Sequence, residues 1–203
     1  MRVGIFGGTF NPVHLGHTAL ASYVCNLGLV DEVWLMVTPQ NPFKQDARLL
    51  DEATRLQMAM LAVEDFPRLR ASDFEFHLPR PSYTYITLQE LEKAYPDNTF
   101  SLLIGEDNWQ KFGQWRNSAE ILARYPIIVY PREGSESLQV NESTSLQVYE
   151  SASQRVYKPA PLYPVSSTAI RTAIAAGEDV SQWLDPRVNE LIRQLNLYRS
   201  NVS

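Results

Sequence analysis

Apolar residues fall along the chain in short dense runs, separated by longer stretches in which they recur every third or fourth position. Val3 to Phe6 is the first run, closed by Gly7-Gly8, and Asp31 to Thr38 holds the second, Val33-Trp34-Leu35-Met36-Val37. Phe100 to Ile104 ends at Gly105, and Ile127 to Tyr130 ends at Pro131. Runs this continuous predict strands buried on both faces, the first feeding a tight glycine turn. Between them the spacing predicts helices from about Gly16 to Leu27, after Asp51, from Tyr83 to Tyr95, from Thr168 to Ala176 and after Asp185-Pro186. Their expected buried stripes include Ala53, Leu56, Met60 and Val63 in the second, Leu88, Leu91 and Tyr95 in the third, and Val188, Leu191, Ile192 and Leu195 in the last. Strand and helix alternate, with connections long enough to hold a helix. The expected fold class is therefore α/β, an open doubly wound parallel sheet covered on both faces, with a small C-terminal helical segment from about residue 166. The Ser-, Glu- and Gln-rich stretch Gly134 to Gln154 reads either as a mobile excursion or as a ragged edge hairpin.

Composition narrows the classes. A length of 203 residues predicts one domain, residues 1–203, and 44% hydrophobic with 20% charged residues is globular rather than disordered. The net charge of -5 argues against nucleic-acid binding driven by bulk charge but leaves room for a local anion site. A single cysteine, Cys25, forms no internal disulfide and suits a reducing, cytoplasmic compartment. No stretch approaches the roughly 18 apolar residues of a membrane span, and the apolar start is too short for a signal peptide. No membrane partner is expected, and homo-oligomerisation stays open.

In open α/β sheets ligands sit outside the carboxyl ends of the strands. That topology alone brings together Gly7 to His17, Thr38 to Lys44, Gly105 to Trp109, Arg132 and Ser166 to Arg171. His14 and His17 follow the glycine pair at the mouth of the first helix, where free N–H groups and the positive end of the helix dipole favour an anion. Ser166-Ser167-Thr168 opens a later helix that carries Arg171 early, a cation where the dipole disfavours one. Hydroxyls, N–H groups and a guanidinium suit a polyphosphate.

Gly7-Gly8-Thr9-Phe10-Asn11-Pro12-Val13-His14-Leu15-Gly16-His17 together with Val165-Ser166-Ser167-Thr168-Ala169-Ile170-Arg171 closely resembles the nucleotidyltransferase superfamily with the H-x-G-H and S-S-T-x-I-R motifs. Within it the chain resembles the bacterial nicotinate-nucleotide adenylyltransferase family, through Asn41-Pro42-Phe43-Lys44, Pro81-Ser82-Tyr83-Thr84, Gly105-Glu106-Asp107, Trp115 and Pro131-Arg132-Glu133-Gly134. It departs from the family's frequent Asp at Asn11 and frequent His at Phe43. The resemblance implies a Rossmann-like fold and transfer of AMP from ATP to nicotinate mononucleotide, with release of pyrophosphate and with Mg²⁺ arriving with ATP rather than in a protein site of its own. Neighbouring expectations are a nicotinamide-mononucleotide or phosphopantetheine adenylyltransferase and, from another class, a nucleotide-binding regulator without turnover.

Carried over residue by residue, the resemblance implies that His17 acts on the ATP α-phosphate with His14 beside it, and that Lys44 holds the phosphate side of the reaction centre. Arg171, with Ser167 and Thr168, would take the β- and γ-phosphates, and Gly7, Gly8, Thr9, Phe10, Gly105 and Ser166 would line the ATP site. Asp107 reads as a ribose acceptor or a helix cap, and Arg132 as facing adenine or as a solvated charge. Asn41, Tyr83, Thr84 and Trp115 would hold the acceptor, Trp115 by stacking on the pyridine ring and Tyr83-Thr84 by backbone donors to its carboxylate.

Overall fold

A computed structural model describes residues 1–39, 49–130 and 165–199, and the backbone of 156–157. Its helices and strands, in chain order, are β1 (Arg2–Gly8), α1 (Leu15–Asn26), β2 (Glu32–Val37), α2 (Glu52–Val63), β3 (Leu69–Ser72), α3 (Thr84–Ala94), β4 (Thr99–Gly105), α4 (Glu106–Trp109), α5 (Ser118–Arg124), β5 (Ile127–Tyr130), β6 (Val156–Tyr157), α6 (Ser167–Ala175) and α7 (Pro186–Gln194). Short 3₁₀ turns lie at Phe74–His77, Phe112–Gln114 and Ser181–Trp183.

Among the described residues the sheet has six strands, in the order β3-β2-β1-β4-β5-β6. Every pairing is parallel, with Phe6 opposite Leu35 on one side and Leu103 on the other. Side chains alternate across it, so two apolar cores form. Phe6, Leu35, Val37, Leu103 and Ile128 meet Leu20 and Val24 of α1, Met58 and Ala62 of α2, Ile170 of α6 and Val188 and Ile192 of α7. Val3, Ile5, Trp34, Met36, Leu102, Ile104, Ile127 and Val129 meet Leu88 and Leu91 of α3 and Ile121 of α5. A sheet packed on both faces explains why its strands read as continuous apolar runs.

Three expectations are corrected. Gly7 and Gly8 are not the turn: β1 runs through both, paired with Met36 and Val37, and the chain turns at Phe10, whose φ is +47°. At Gly8 that turn brings the Phe10 ring close, and a Cβ there would meet it at 3.2 Å, tighter than ordinary contact. In α2 the buried side is Arg55, Met58, Ala59, Ala62 and Val63, whereas Ala53 is exposed and Met60 is 57% exposed. The burial of a charged residue rotates the stripe away from the one drawn through apolar side chains alone. Leu195 is likewise exposed, because α7 ends at Gln194 and buries Val188, Asn189 and Ile192.

Local bonds close the helix ends. Ser166 Oγ accepts from Ala169 N at 3.1 Å, Asp185 Oδ1 from Arg187 N at 2.8 Å and Asp51 Oδ1 from Thr54 N at 2.9 Å. Gly177, with φ +79°, donates to Ile174 O while Glu178 N donates to Ala173 O, a Schellman end to α6.

Candidate active site

Strand order reverses between β1 and β4, and the crevice outside their carboxyl ends is where open α/β sheets bind ligands. Gly8 ends β1 there and Gly105 ends β4, with Glu106 and Asp107 opening α4 directly after it.

His14 is the N-cap of α1 and His17 its third helical residue. The His17 amide donates to His14 O at 2.9 Å, and the His14 amide donates to His17 Nδ1 at 3.1 Å. A backbone N–H only donates, so Nδ1 is the acceptor and the ring proton sits on Nε2. A neutral ring presenting Nε2–H suits a phosphate oxygen and avoids a cation against the positive end of the α1 dipole. The two imidazole centroids are 3.7 Å apart, and the His17 ring is braced edge-on by Phe10 at 5.0 Å. His14 is buried, and so is the Phe10 side chain, which packs on Phe6 at 5.6 Å. Phe10 therefore offers a ligand its backbone rather than its ring.

The second motif closes on the first. Ser167 Oγ donates to Pro12 O at 2.8 Å and Arg171 Nη1 donates to Asn11 O at 2.8 Å. Arg171 Nη2 also donates to Thr168 Oγ1 at 3.3 Å. Residues 155 and 160 positions apart in the chain are thus joined at one turn. Tyr198, after α7, adds a third bond: its hydroxyl donates to Asn11 Oδ1 at 2.8 Å. Burial pushes the Tyr198 phenol up from its ordinary value, against the opposing pull of Arg171 and Arg55.

A separate group lies at the start of α3. Tyr83 caps it with extended backbone and no side-chain bond to the helix amides, and Thr84 is its first residue. The Arg116 guanidinium lies over the Tyr83 ring at 4.9 Å, which ties this start to the segment carrying Trp115. Trp115 is half-buried and packs on Phe112 at 5.2 Å. Beneath the start of α3, the buried Glu75 accepts from Thr87 Oγ1 at 2.8 Å and Ser82 Oγ at 3.3 Å. Burial pushes its carboxyl above the ordinary value, partly offset by those two hydroxyls.

The structure therefore joins His14 and His17 to Ser167, Thr168 and Arg171, places Gly105 and Asp107 at the same edge of the sheet, and gathers Tyr83 and Thr84 with the Trp115 segment. Asn41, Lys44 and Arg132, and the stretch Gly134 to Gln154, lie outside the described residues. Arg55, Glu75, Arg116 and Tyr198 were missed. A charged residue among Met58, Ala59 and Ala62 on a helix face was a legible sign for Arg55, whereas nothing around Tyr198 marks it. Among the described residues no group of three His, Cys, Asp or Glu side chains could hold a metal ion, and no helix is long and apolar enough to cross a membrane.

A family model described as cytidylyltransferase-like matches residues 5–173. The chain belongs to this family. It is 47% identical over 193 residues to a protein of Bacteroides fragilis named "Probable nicotinate-nucleotide adenylyltransferase", covering 95% of this chain and 92% of that one. A Bacteroides thetaiotaomicron protein of the same name is 45% identical over 194 residues, covering 96% and 92%. Among solved structures, a Plasmodium falciparum nicotinic acid mononucleotide adenylyltransferase complexed with NaAD superposes with a TM-score of 0.78 at 19% identity, covering 100% of this chain and 99% of that one. The fold is the nucleotidyltransferase α/β fold.

Proposed function

We propose that the chain is an adenylyltransferase that moves AMP from ATP to the 5′-phosphate of nicotinate mononucleotide. The acceptor phosphate oxygen attacks the α-phosphorus in line, forming the new P–O bond as the bond to the β-phosphate oxygen breaks and pyrophosphate leaves. No enzyme nucleophile is required; positioning and charge stabilisation carry such transfers. The observation that carries this reading is the closure of Ser167 and Arg171 onto the Asn11-Pro12 turn that leads into His14 and His17. It is supported by relatives above 40% identity that bear one name.

In this reading His17 Nε2–H donates to the α-phosphate oxygen that gains charge in the transition state, with His14 beside it. Arg171, Ser166, Ser167 and Thr168 hold the β- and γ-phosphates and then pyrophosphate, and Lys44 faces the reaction centre. The backbone of Gly7 to Phe10, with Gly105, Asp107 and Arg132, forms the rest of the ATP site. Asn41, Tyr83, Thr84 and Trp115 take the acceptor, the start of α3 offering its amides to the pyridine carboxylate. The donors at the phosphate turn are imidazole, hydroxyl, guanidinium and amide N–H, which suit phosphate oxygens rather than a metal. Mg²⁺ would therefore be held by the triphosphate and water and would neutralise phosphate charge. Screening over about 8 Å lets this local cluster outweigh the net charge of -5. A cytoplasmic setting fits an ATP-using enzyme whose one cysteine, Cys25, is buried and unpaired.

The test is pyrophosphate release from MgATP with nicotinate mononucleotide, nicotinamide mononucleotide or phosphopantetheine as acceptor. The nicotinate form should give the highest kcat/KM. Release with none of the three, with ATP still bound, would instead support a binding regulator.

A further inference from the structure

Arg55 has the largest fully buried side chain among the described residues, with 1% of its surface exposed. Among the described residues it bonds no carboxylate. Its Nε donates to Leu50 O at 2.9 Å, its Nη1 to both Thr9 O and Thr38 O at 2.7 Å, and its Nη2 to Pro39 O at 3.0 Å. Four of the five guanidinium N–H donors are thus spent on backbone carbonyls from three separate segments. Thr9 begins the turn after β1, Thr38 and Pro39 are the exit of β2, and Leu50 precedes α2. Burial pushes the guanidinium down from its ordinary value, yet an arginine keeps its charge.

The carbonyls chosen are informative. Phe10, between Thr9 and Asn11, holds a positive φ of +47° that a bulky side chain rarely adopts. Arg55 grips the carbonyl on one side of it, while Arg171 and Tyr198 grip Asn11 on the other. The same guanidinium grips the strand exit that leads toward residues 41 and 44. A helix, the phosphate turn and the neighbouring strand exit therefore share one planar fork, which a lysine cannot reproduce because its three donors diverge from a single point.

We propose that Arg55 is a positioning residue for nucleotidyl transfer, setting the gap between the phosphate turn after β1 and the exit of β2. This rests on the transfer reaction proposed above. Arg55 touches no substrate; it acts by holding the backbone of the groups that do.

The experiment compares Arg55→Lys and Arg55→Met with Leu69→Ala, a destabilising change at the far end of β3, all assayed below their melting temperatures. Both Arg55 variants should lose turnover, Arg55→Met by about 100-fold and Arg55→Lys by less, with ATP KM shifted only about threefold. Leu69→Ala should keep wild-type kcat despite its lower Tm. Amide hydrogen exchange gives a readout apart from turnover. The Thr38 amide, which donates to Gly8 O at 2.9 Å, should exchange about tenfold faster in the Arg55 variants, while that of Leu102 in β4, which donates to Pro126 O, stays unchanged. Folded Arg55 variants with kcat within twofold of Leu69→Ala, or with unaltered exchange at Thr38, would overturn the proposal. If Arg55→Met does not fold, Arg55→Lys decides by the same two criteria. A wild-type protein that releases no pyrophosphate would count against the transfer reaction, and the exchange data would still judge the clamp.

Discussion

His17 has two separable jobs, and a pair of substitutions distinguishes them. Its Nδ1 accepts the His14 amide at 3.1 Å, closing the first turn of α1, while its Nε2–H is assigned to the ATP α-phosphate. His17→Ala removes both. Leaving the amide of a buried N-cap residue without its partner costs about 0.5–2 kcal/mol. For a chain of this size about 1 kcal/mol lowers Tm by roughly 2–4 °C. Removing one donor aimed at developing charge lowers kcat by about 10²–10³, or roughly 3–4 kcal/mol of transition-state stabilisation, while ATP affinity changes little. His17→Gln restores the cap, because glutamine at the third helical position reaches back to the N-cap amide and its own NH₂ replaces the neutral donor. Its Tm should return to within about 1 °C of wild type and its kcat should recover in part. Scanning calorimetry and steady-state pyrophosphate release at varied ATP measure both effects. If His17→Ala loses Tm but keeps kcat within fivefold, the ring is only a cap. If His17→Gln regains Tm but no turnover, a neutral N–H donor is the wrong description of His17.

Four further outcomes follow from the geometry. The ¹⁵N chemical shifts of His17 should show the Nε2-protonated tautomer at neutral pH, and a protonated Nδ1 would contradict the bond from the His14 amide. Tyr198→Phe removes the donor to Asn11 Oδ1 and should cost about 1 kcal/mol in denaturant titration; an unchanged midpoint would show that this bond contributes nothing. Burial raises the Glu75 carboxyl above 4.5, so the folded state holds its proton more tightly and stability falls as pH rises from there through the folded value. The Tm of Glu75→Gln minus that of wild type should accordingly grow with pH over that window, and a flat difference would remove the argument. Asp185 is shifted the other way, held down first by its bonds to the Arg187 guanidinium. Its contribution is present above about 3.8 and lost on acidification. Asp185→Ala should cost about 1 kcal/mol at pH 7 and less at pH 3, with equal losses at both counting against the cap.

Legibility in the sequence followed burial. Strands with apolar neighbours on both faces, such as Glu32–Val37 and Thr99–Gly105, declare themselves as continuous runs. The four-residue β3, Leu-Arg-Ala-Ser, carries too little apolar signal to be seen, and α5 covers the sheet with one fully buried residue, Ile121. The same logic governs the site. His14, His17 and Arg171 break local expectations at helix starts and so stand out, and Arg171 draws attention to Ser167 beside it. Arg55 and Glu75 lie inside the core, where a single sequence shows only an ill-placed charge, and Tyr198 reaches Asn11 across 187 positions. The glycine pair misled for a physical reason. Glycine permits a turn but does not require one, and here Gly8 makes room for the ring of Phe10, which takes the turn instead.

In the proposed reaction the turn before α1 and the start of α6 form one triphosphate site. A crystal structure with a non-hydrolysable ATP analogue tests it directly. The α-phosphate should lie within hydrogen-bond reach of His17 Nε2 and the terminal phosphates against Ser167, Thr168 and Arg171. Phosphates bound elsewhere, or reaching only one of the two motifs, would contradict it.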